Sequence, residues 1–222
     1  MQIAWFEYFQ FLSLFTAIYC WKGLKSCSLL AFIPLLIIVN ATELTAENYL
    51  AFGWTSNYRM YNLYLLFSTP FFFYLGGKML FLTKKEAIIY YIVCILCMVL
   101  VCINFGFIQG NIQFNSYSLG LIEIMIIVFS GLCLVRLTVF DQKELNFMRE
   151  PYFWINSLNL LSGLITLVVL GLQSYILINQ IEIANKTLYH AILPAVNAIV
   201  YAGYSYAFIL CRTQRARSSS PL

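Results

Sequence analysis

The chain has 222 residues, 62% hydrophobic and only 10% charged, with a net charge of +4 and a mean hydropathy of +0.81. Soluble domains carry roughly 25% charged residues, so the composition excludes a water-soluble enzyme or a nucleic-acid-binding module and specifies an integral membrane protein. No polar stretch approaches the roughly 50 residues a soluble domain needs, which leaves one membrane domain over residues 1–211 and a short basic tail over 212–222.

Seven apolar segments follow in chain order: Ile3 to Trp21, Leu29 to Leu44, Tyr58 to Phe81, Ala87 to Phe107, Tyr117 to Phe140, Pro151 to Ile178 and Leu188 to Cys211. Each approaches the ~20 residues an α-helix needs to cross a hydrocarbon core of about 30 Å. The fold class expected is therefore all-α, a polytopic bundle of seven transmembrane helices. The second segment is short and holds Pro34, which a membrane bundle tolerates where neighbouring groups re-satisfy the backbone. The first has no basic region before it and no cleavage site after it, so it reads as a helix rather than a signal peptide.

Basic residues orient the bundle. Lys22 and Lys25 follow the first segment, Lys78, Lys84 and Lys85 the third, Arg136, Lys143 and Arg149 the fifth, and Arg212, Arg215 and Arg217 the last, while Arg59 and Lys186 fall opposite. Lys and Arg collect on the cytoplasmic side, which predicts an outer N-terminus and a cytoplasmic C-terminus in a bacterial inner membrane. Aromatic residues such as Trp5, Trp54 and Tyr117 near segment ends suit the headgroup level.

Ionisable groups inside a membrane are costly and mark function. Glu7, Asn40, Glu43, Arg59, Asn62, Asn104, Glu123, Asn179 and His190 all fall in the outer part of the predicted helices, with Asn197 two turns below His190 as the floor. They predict an outward-facing polar cavity with Glu123, His190, Glu43, Arg59, Asn62 and Asn197 as ligand contacts. The alternative is that Glu7, Glu43, Arg59 and His190 are merely interfacial and solvated. Glu123, embedded in Leu-Gly-Leu-Ile-Glu-Ile-Met-Ile-Ile, must pair with Arg59 or His190, take up a proton or line a wet cavity. Asn62, Asn156 and Asn197 also suit interhelical hydrogen bonding.

Several chemistries drop out. The single His190 cannot build a three-histidine zinc site. Gly203-Tyr204-Ser205 has the form of a serine nucleophile, but His190 lies about 22 Å away along the same helix. The last segment has no lysine for a retinal Schiff base. Cys94 and Cys97 fall in an apolar helix where a small polarizable side chain is ordinary packing. No catalytic residue, metal or cofactor is expected, and a non-enzymatic role follows.

Tyr61-Asn62-Leu63-Tyr64, Pro70, Gly77-Lys78, Arg149-Glu150-Pro151-Tyr152-Phe153-Trp154-Ile155-Asn156-Ser157 and His190-Ala191-Ile192 with Asn197 together give the chain a likeness. It resembles a group of small seven-helix membrane proteins of Bacteroidetes-type bacteria, and is similar to the membrane region that precedes the kinase domain of some sensor histidine kinases. The resemblance implies sensing at or outside the membrane and signalling inward. With no kinase after Cys211, the signal would pass to a partner through the loop carrying Asp141, Lys143, Glu144, Arg149 and Glu150. The expected partners are the lipid bilayer, a small ligand and a signalling protein, not nucleic acid. Two other readings stand beside the sensor: a small secondary transporter with a proton-coupled Glu123–His190 site, and a structural subunit of a membrane complex.

Overall fold

The computed structural model describes residues 4–80, 82–140, 147–178, 182–183 and 186–218, with side chains left undescribed at 140, 173–178, 182–183, 186–191 and 217–218. The described residues are almost all helical: α1 (Glu7–Tyr19), α2 (Trp21–Ser26), α3 (Phe32–Glu47), α4 (Tyr58–Met79), α5 (Lys84–Ile103), α6 (Ser116–Phe140), α7 (Pro151–Ile178) and α8 (Leu188–Ser218). A pair of two-residue antiparallel strands, Glu182–Ile183 and Lys186–Thr187, joins α7 to α8.

Every predicted apolar segment holds a helix, but they are unequal. Among the described residues, four are long and apolar enough to cross a membrane: Lys84–Ile108, Ser116–Val139, Pro151–Leu172 and Ile192–Ala216. The other three fall short for identifiable reasons. α1 has 13 residues and α3 has 16, less than a straight span requires. α4 is long enough at 22 residues, but Arg59, Asn62, Ser68, Thr69 and Lys78 dilute its apolar character. The first segment is also broken: α1 ends at Cys20, and Trp21 opens the separate turn of α2.

Local chemistry sets the element boundaries. Thr83 caps α5 in a reciprocal capping box, its hydroxyl accepting from the Glu86 N–H and its own N–H donating to the Glu86 carboxylate at 2.8 Å. Pro151 occupies the first position of α7, where its missing N–H costs nothing. α5 ends in a π-helical turn, Asn104–Ile108. Gly110 then adopts φ +68°, a left-handed conformation that glycine reaches without strain.

The helices close into a ring in the order α1, α3, α4, α6, α7, α8 and back to α1, with α5 packed outside on α4 and α6. Large apolar side chains cover the outer surface, as at Phe15 (67% exposed) on the ring and Ile88 (62%) on α5, while the interior is an apolar core with buried polar side chains such as Glu7, Ser13, Asn62 and Thr69 set into it. An apolar exterior suits a hydrocarbon solvent, in which polar groups can be satisfied only inside the bundle.

Side-chain contacts tie the helix ends near Arg136, Arg149 and Arg212 to their neighbours. Arg136 donates to the Leu80 carbonyl at 2.9 Å and forms an ion pair with Glu86. Gln214 donates to the Arg149 carbonyl and the Glu150 carboxylate. Tyr152 donates to the Cys27 carbonyl at 2.6 Å, and the Arg212 guanidinium stacks 4.0 Å from the Tyr19 ring.

Candidate functional site

The ring encloses a cavity of about 190 Å³, somewhat larger than the about 150 Å³ engineered cavity that admits benzene. Its wall comes from α3, α4, α6, α7 and α8. Carboxylates enter from Glu43 and Glu123, phenols from Tyr61, Tyr64, Tyr201 and Tyr204, and amides from Asn159 and Asn197. Hydroxyls of Thr42, Ser68, Ser162 and Thr166 complete the polar surface, and Leu35, Leu65, Phe72, Ile122 and Val200 form apolar patches between them.

Helical periodicity explains the convergence. On α4, Tyr61, Tyr64, Leu65, Ser68 and Phe72 recur at three- and four-residue intervals and share one face. On α8, Asn197, Val200, Tyr201 and Tyr204 do the same. α6 contributes Leu119, Ile122, Glu123 and Ile126, and α7 contributes Asn159, Ser162 and Thr166.

The two carboxylates differ in their surroundings. Glu43 accepts a hydrogen bond from the Tyr61 hydroxyl at 3.0 Å, which ties α3 to α4. Glu123 lies two turns into α6 with no hydrogen-bond or ionic partner among the described residues, so its carboxylate is free to meet a ligand in the cavity. α7 approaches it through Gly163, where an added Cβ would stand 3.1 Å from Glu123 Oε2 and 2.8 Å from Ile127. Tyr64 lies within electrostatic range of both carboxylates. Tyr204 donates its hydroxyl to Asn159 Oδ1, joining α8 to α7 across the cavity floor. No lysine or arginine lines the cavity among the described residues.

Of the six residues predicted from sequence to contact a ligand, Glu43, Glu123 and Asn197 line the cavity. Arg59 is exposed on α4 and away from it. Asn62 is fully buried but turned elsewhere: it donates to the Gln113 carbonyl at 2.7 Å and accepts from the Asn115 N–H at 3.0 Å, pinning the loop between α5 and α6. The His190 side chain lies outside the described residues, as do Asn179, Asp141, Lys143 and Glu144. Arg149 and Glu150 are described, and their contacts with Gln214 make this edge part of the bundle's own packing.

No protein-family model, curated protein or solved structure matches the chain. The site must therefore be interpreted from its own chemistry.

Sequence reasoning missed the tyrosines. It assigned aromatic residues to the interfaces, yet Tyr61, Tyr64, Tyr201 and Tyr204 point inward. The signal was present in the four-residue spacing of Tyr64 with Ser68 and of Asn197 with Tyr201, which places each polar pair on one helical face. Asn156 reaches across helices, as its spacing allowed: its amide contacts the Cys133 sulfur of α6 at 3.2 Å, besides donating within α7 to the Tyr152 carbonyl at 2.8 Å. At the opposite end, Asn104 donates to Ser118 Oγ at 2.7 Å and to Gln109 Oε1 at 2.9 Å, joining the π-helical turn to α6.

Proposed function

We propose that the chain is a non-enzymatic membrane sensor or accessory signalling subunit whose cavity binds a small organic cation. All seven apolar helices sit in a bacterial inner membrane in this reading, with the N-terminus outside and the C-terminus in the cytoplasm. The observation that carries the reading is the facing of Glu43 and Glu123 into one small cavity walled by four tyrosines, with no described lysine or arginine on its lining. Two carboxylates complement a positive charge, and aromatic rings bind alkylammonium groups through cation–π attraction. Occupancy would bias the packing of α3 and α4 against α7 and α8, and the shift would leave through the basic end of the bundle. The motif resemblance to sensor-kinase membrane regions is consistent with that output.

The test is a binding titration of the purified chain in lipid nanodiscs with methylammonium through tetramethylammonium, set against neutral alcohols of matching shape. Binding of the cations, reduced at least tenfold in Glu123→Gln, supports the reading. Equal response to cations and alcohols, or unaltered binding in both Glu123→Gln and Glu43→Gln, overturns it. A secondary transporter is the competing reading, favoured by Pro70 and Pro194 inside two of the cavity-lining helices. It requires alkylammonium flux across proteoliposomes, which a sensor lacks.

A further inference from the structure

The short connection between α4 and α5 sets the last turn of one beside the first turn of the other. There the helices touch. The Tyr90 hydroxyl donates to the Phe73 carbonyl at 2.6 Å, and a Cβ added at Gly77 would stand 3.1 Å from the Tyr91 hydroxyl. From this contact a groove of about 470 Å³ runs along the outer face of the pair, apart from the polar cavity. Pro70, Phe73 and Tyr74 of α4 form one wall. α5 supplies the other, and Phe107 of the π-helical turn, 87% exposed, stands at the far end.

The groove is polar at one end only. The Tyr74 and Tyr91 phenols lie where the helices meet, and beyond them the lining is Ile95, Met98, Val99 and Ile103, interrupted only by the thiols of Cys94 and Cys102. Two lysines mark the same end. Lys78 follows Tyr74 by about one turn, with its Nζ 5.4 Å from the centre of the Tyr74 ring. Lys84 precedes Tyr91 by about two turns and Cys102 by about five, which sets it on the groove-lining face of α5. Both lysines are exposed, and neither forms an ion pair among the described residues. The neighbouring carboxylate, Glu86, is already paired with Arg136.

We propose that this groove holds an anionic glycerophospholipid, with its phosphate at Lys78 and Lys84 and an acyl chain laid along α5. Charge complementarity selects the headgroup, since basic residues beside membrane-spanning helices recruit anionic lipids. A zwitterionic lipid would bring its own ammonium to the same two lysines. The apolar lining selects a lipid over a free anion, because a soluble phosphate would leave the groove beyond Tyr91 unfilled. The dimensions agree: from Tyr91 to Ile103 α5 rises about 18 Å, close to the ~15 Å of hydrocarbon in one leaflet of a 30 Å core. Bound in this way, the lipid would fill the space between α4 and α5 and hold α5 to the outside of the ring.

The test uses the purified full chain, delipidated in detergent, with dioleoyl phosphatidylglycerol and dioleoyl phosphatidylcholine as probes. Native mass spectrometry counts the lipids retained at equal concentration, and a phosphatidylglycerol carrying a diazirine in its acyl chain maps their position by photo-crosslinking. The expected result is saturable retention of phosphatidylglycerol, preferred over phosphatidylcholine by at least about fivefold, the scale of one lysine's attraction to anionic lipid. Crosslinks should fall within residues 70–74 and 91–107. The double variant Lys78→Gln, Lys84→Gln should abolish the preference, and Val99→Trp, which fills the groove, should remove the crosslinks. Equal retention of the two lipids overturns the proposal, as does a preference that survives in the double variant. Crosslinks confined to other helices overturn it too, as does a stable dimer in which the groove is shielded from lipid. Displacement of the lipid by free glycerol 3-phosphate would assign the lysines to a soluble anion and leave the groove without its role. Preference and crosslinks are both read on the wild-type chain, so a variant that fails to fold does not spare the proposal.

Discussion

Asn62 separates two roles that look alike in sequence, because a buried asparagine serves equally as ligand contact and as structural clamp. In the structure its side chain makes bonds of 2.7 and 3.0 Å to the loop before α6, with a third approach of 3.5 Å to the Asn111 carbonyl. Asn62→Ala removes these and strands the Asn115 N–H, whose residue is 1% exposed, together with the Gln113 carbonyl. Two lost bonds at about 1 kcal/mol each, plus the cost of a stranded buried group, give a loss of about 3 kcal/mol. For a chain of this size that corresponds to a fall in Tm of about 6–12 °C. Asn62→Leu fills the same space, so the loss that survives in it measures the hydrogen bonds rather than the void. The assay is thermal unfolding in micelles with hydrogen exchange of the amides from Asn111 to Asn115, which should exchange faster in both variants. Alkylammonium binding by the surviving folded protein should be unaltered, since Asn62 does not line the cavity. A Tm within about 1 °C of wild type and unaltered exchange would refute the clamp.

Gly23→Ala should cost at least about 2 kcal/mol, read as lost thermal stability, because the new Cβ would stand 2.7 Å from the Arg212 backbone where α2 meets α8 and no side chain can swing aside. Thr83→Ala removes the hydroxyl half of the α5 capping box and should lower stability by about 1 kcal/mol, whereas Thr83→Ser should restore it. Gly163→Ala sets a methyl 3.1 Å from the Glu123 carboxylate. It should weaken alkylammonium binding more than it lowers Tm, and an unchanged affinity would show that Glu123 does not contact the ligand.

Part of the candidate site was legible in the sequence. A carboxylate inside an apolar run, as at Glu123, carries its own signal, because lipid exposure would be prohibitive. Asn197, located by counting turns along the last segment, does line the cavity. Arg59 and Asn62 were assigned to the cavity because depth alone was used, and depth does not specify which way a helix is rotated. Tyr61 and Asn62 illustrate this: adjacent in sequence, they diverge by about 100° around the axis, so one meets Glu43 in the cavity while the other meets the loop. Glu7 shows the opposite error. Its position near a segment end allowed an interfacial, solvated role, yet α3 and α8 bury it completely.

By itself the sequence determined the all-helical class and the membrane-compatible apolar character of this protein, since hydrophobic composition and segment length act locally and need no partner; it did not determine the number of spans, which among the described residues is four by length and composition where seven were expected. It also specified the capping box at Thr83, which rests on residues three apart. Only the tertiary structure decided which faces of those helices turn inward, because rotation is set by packing against neighbours distant in the chain. That packing closes α3, α4, α6, α7 and α8 around Glu43 and Glu123, and buries Glu7, Gln10 and Ser13 of α1 inside the bundle. Inward-facing polar atoms from separate helices become a site only when the ring is closed, and no single helix contains the instruction for that.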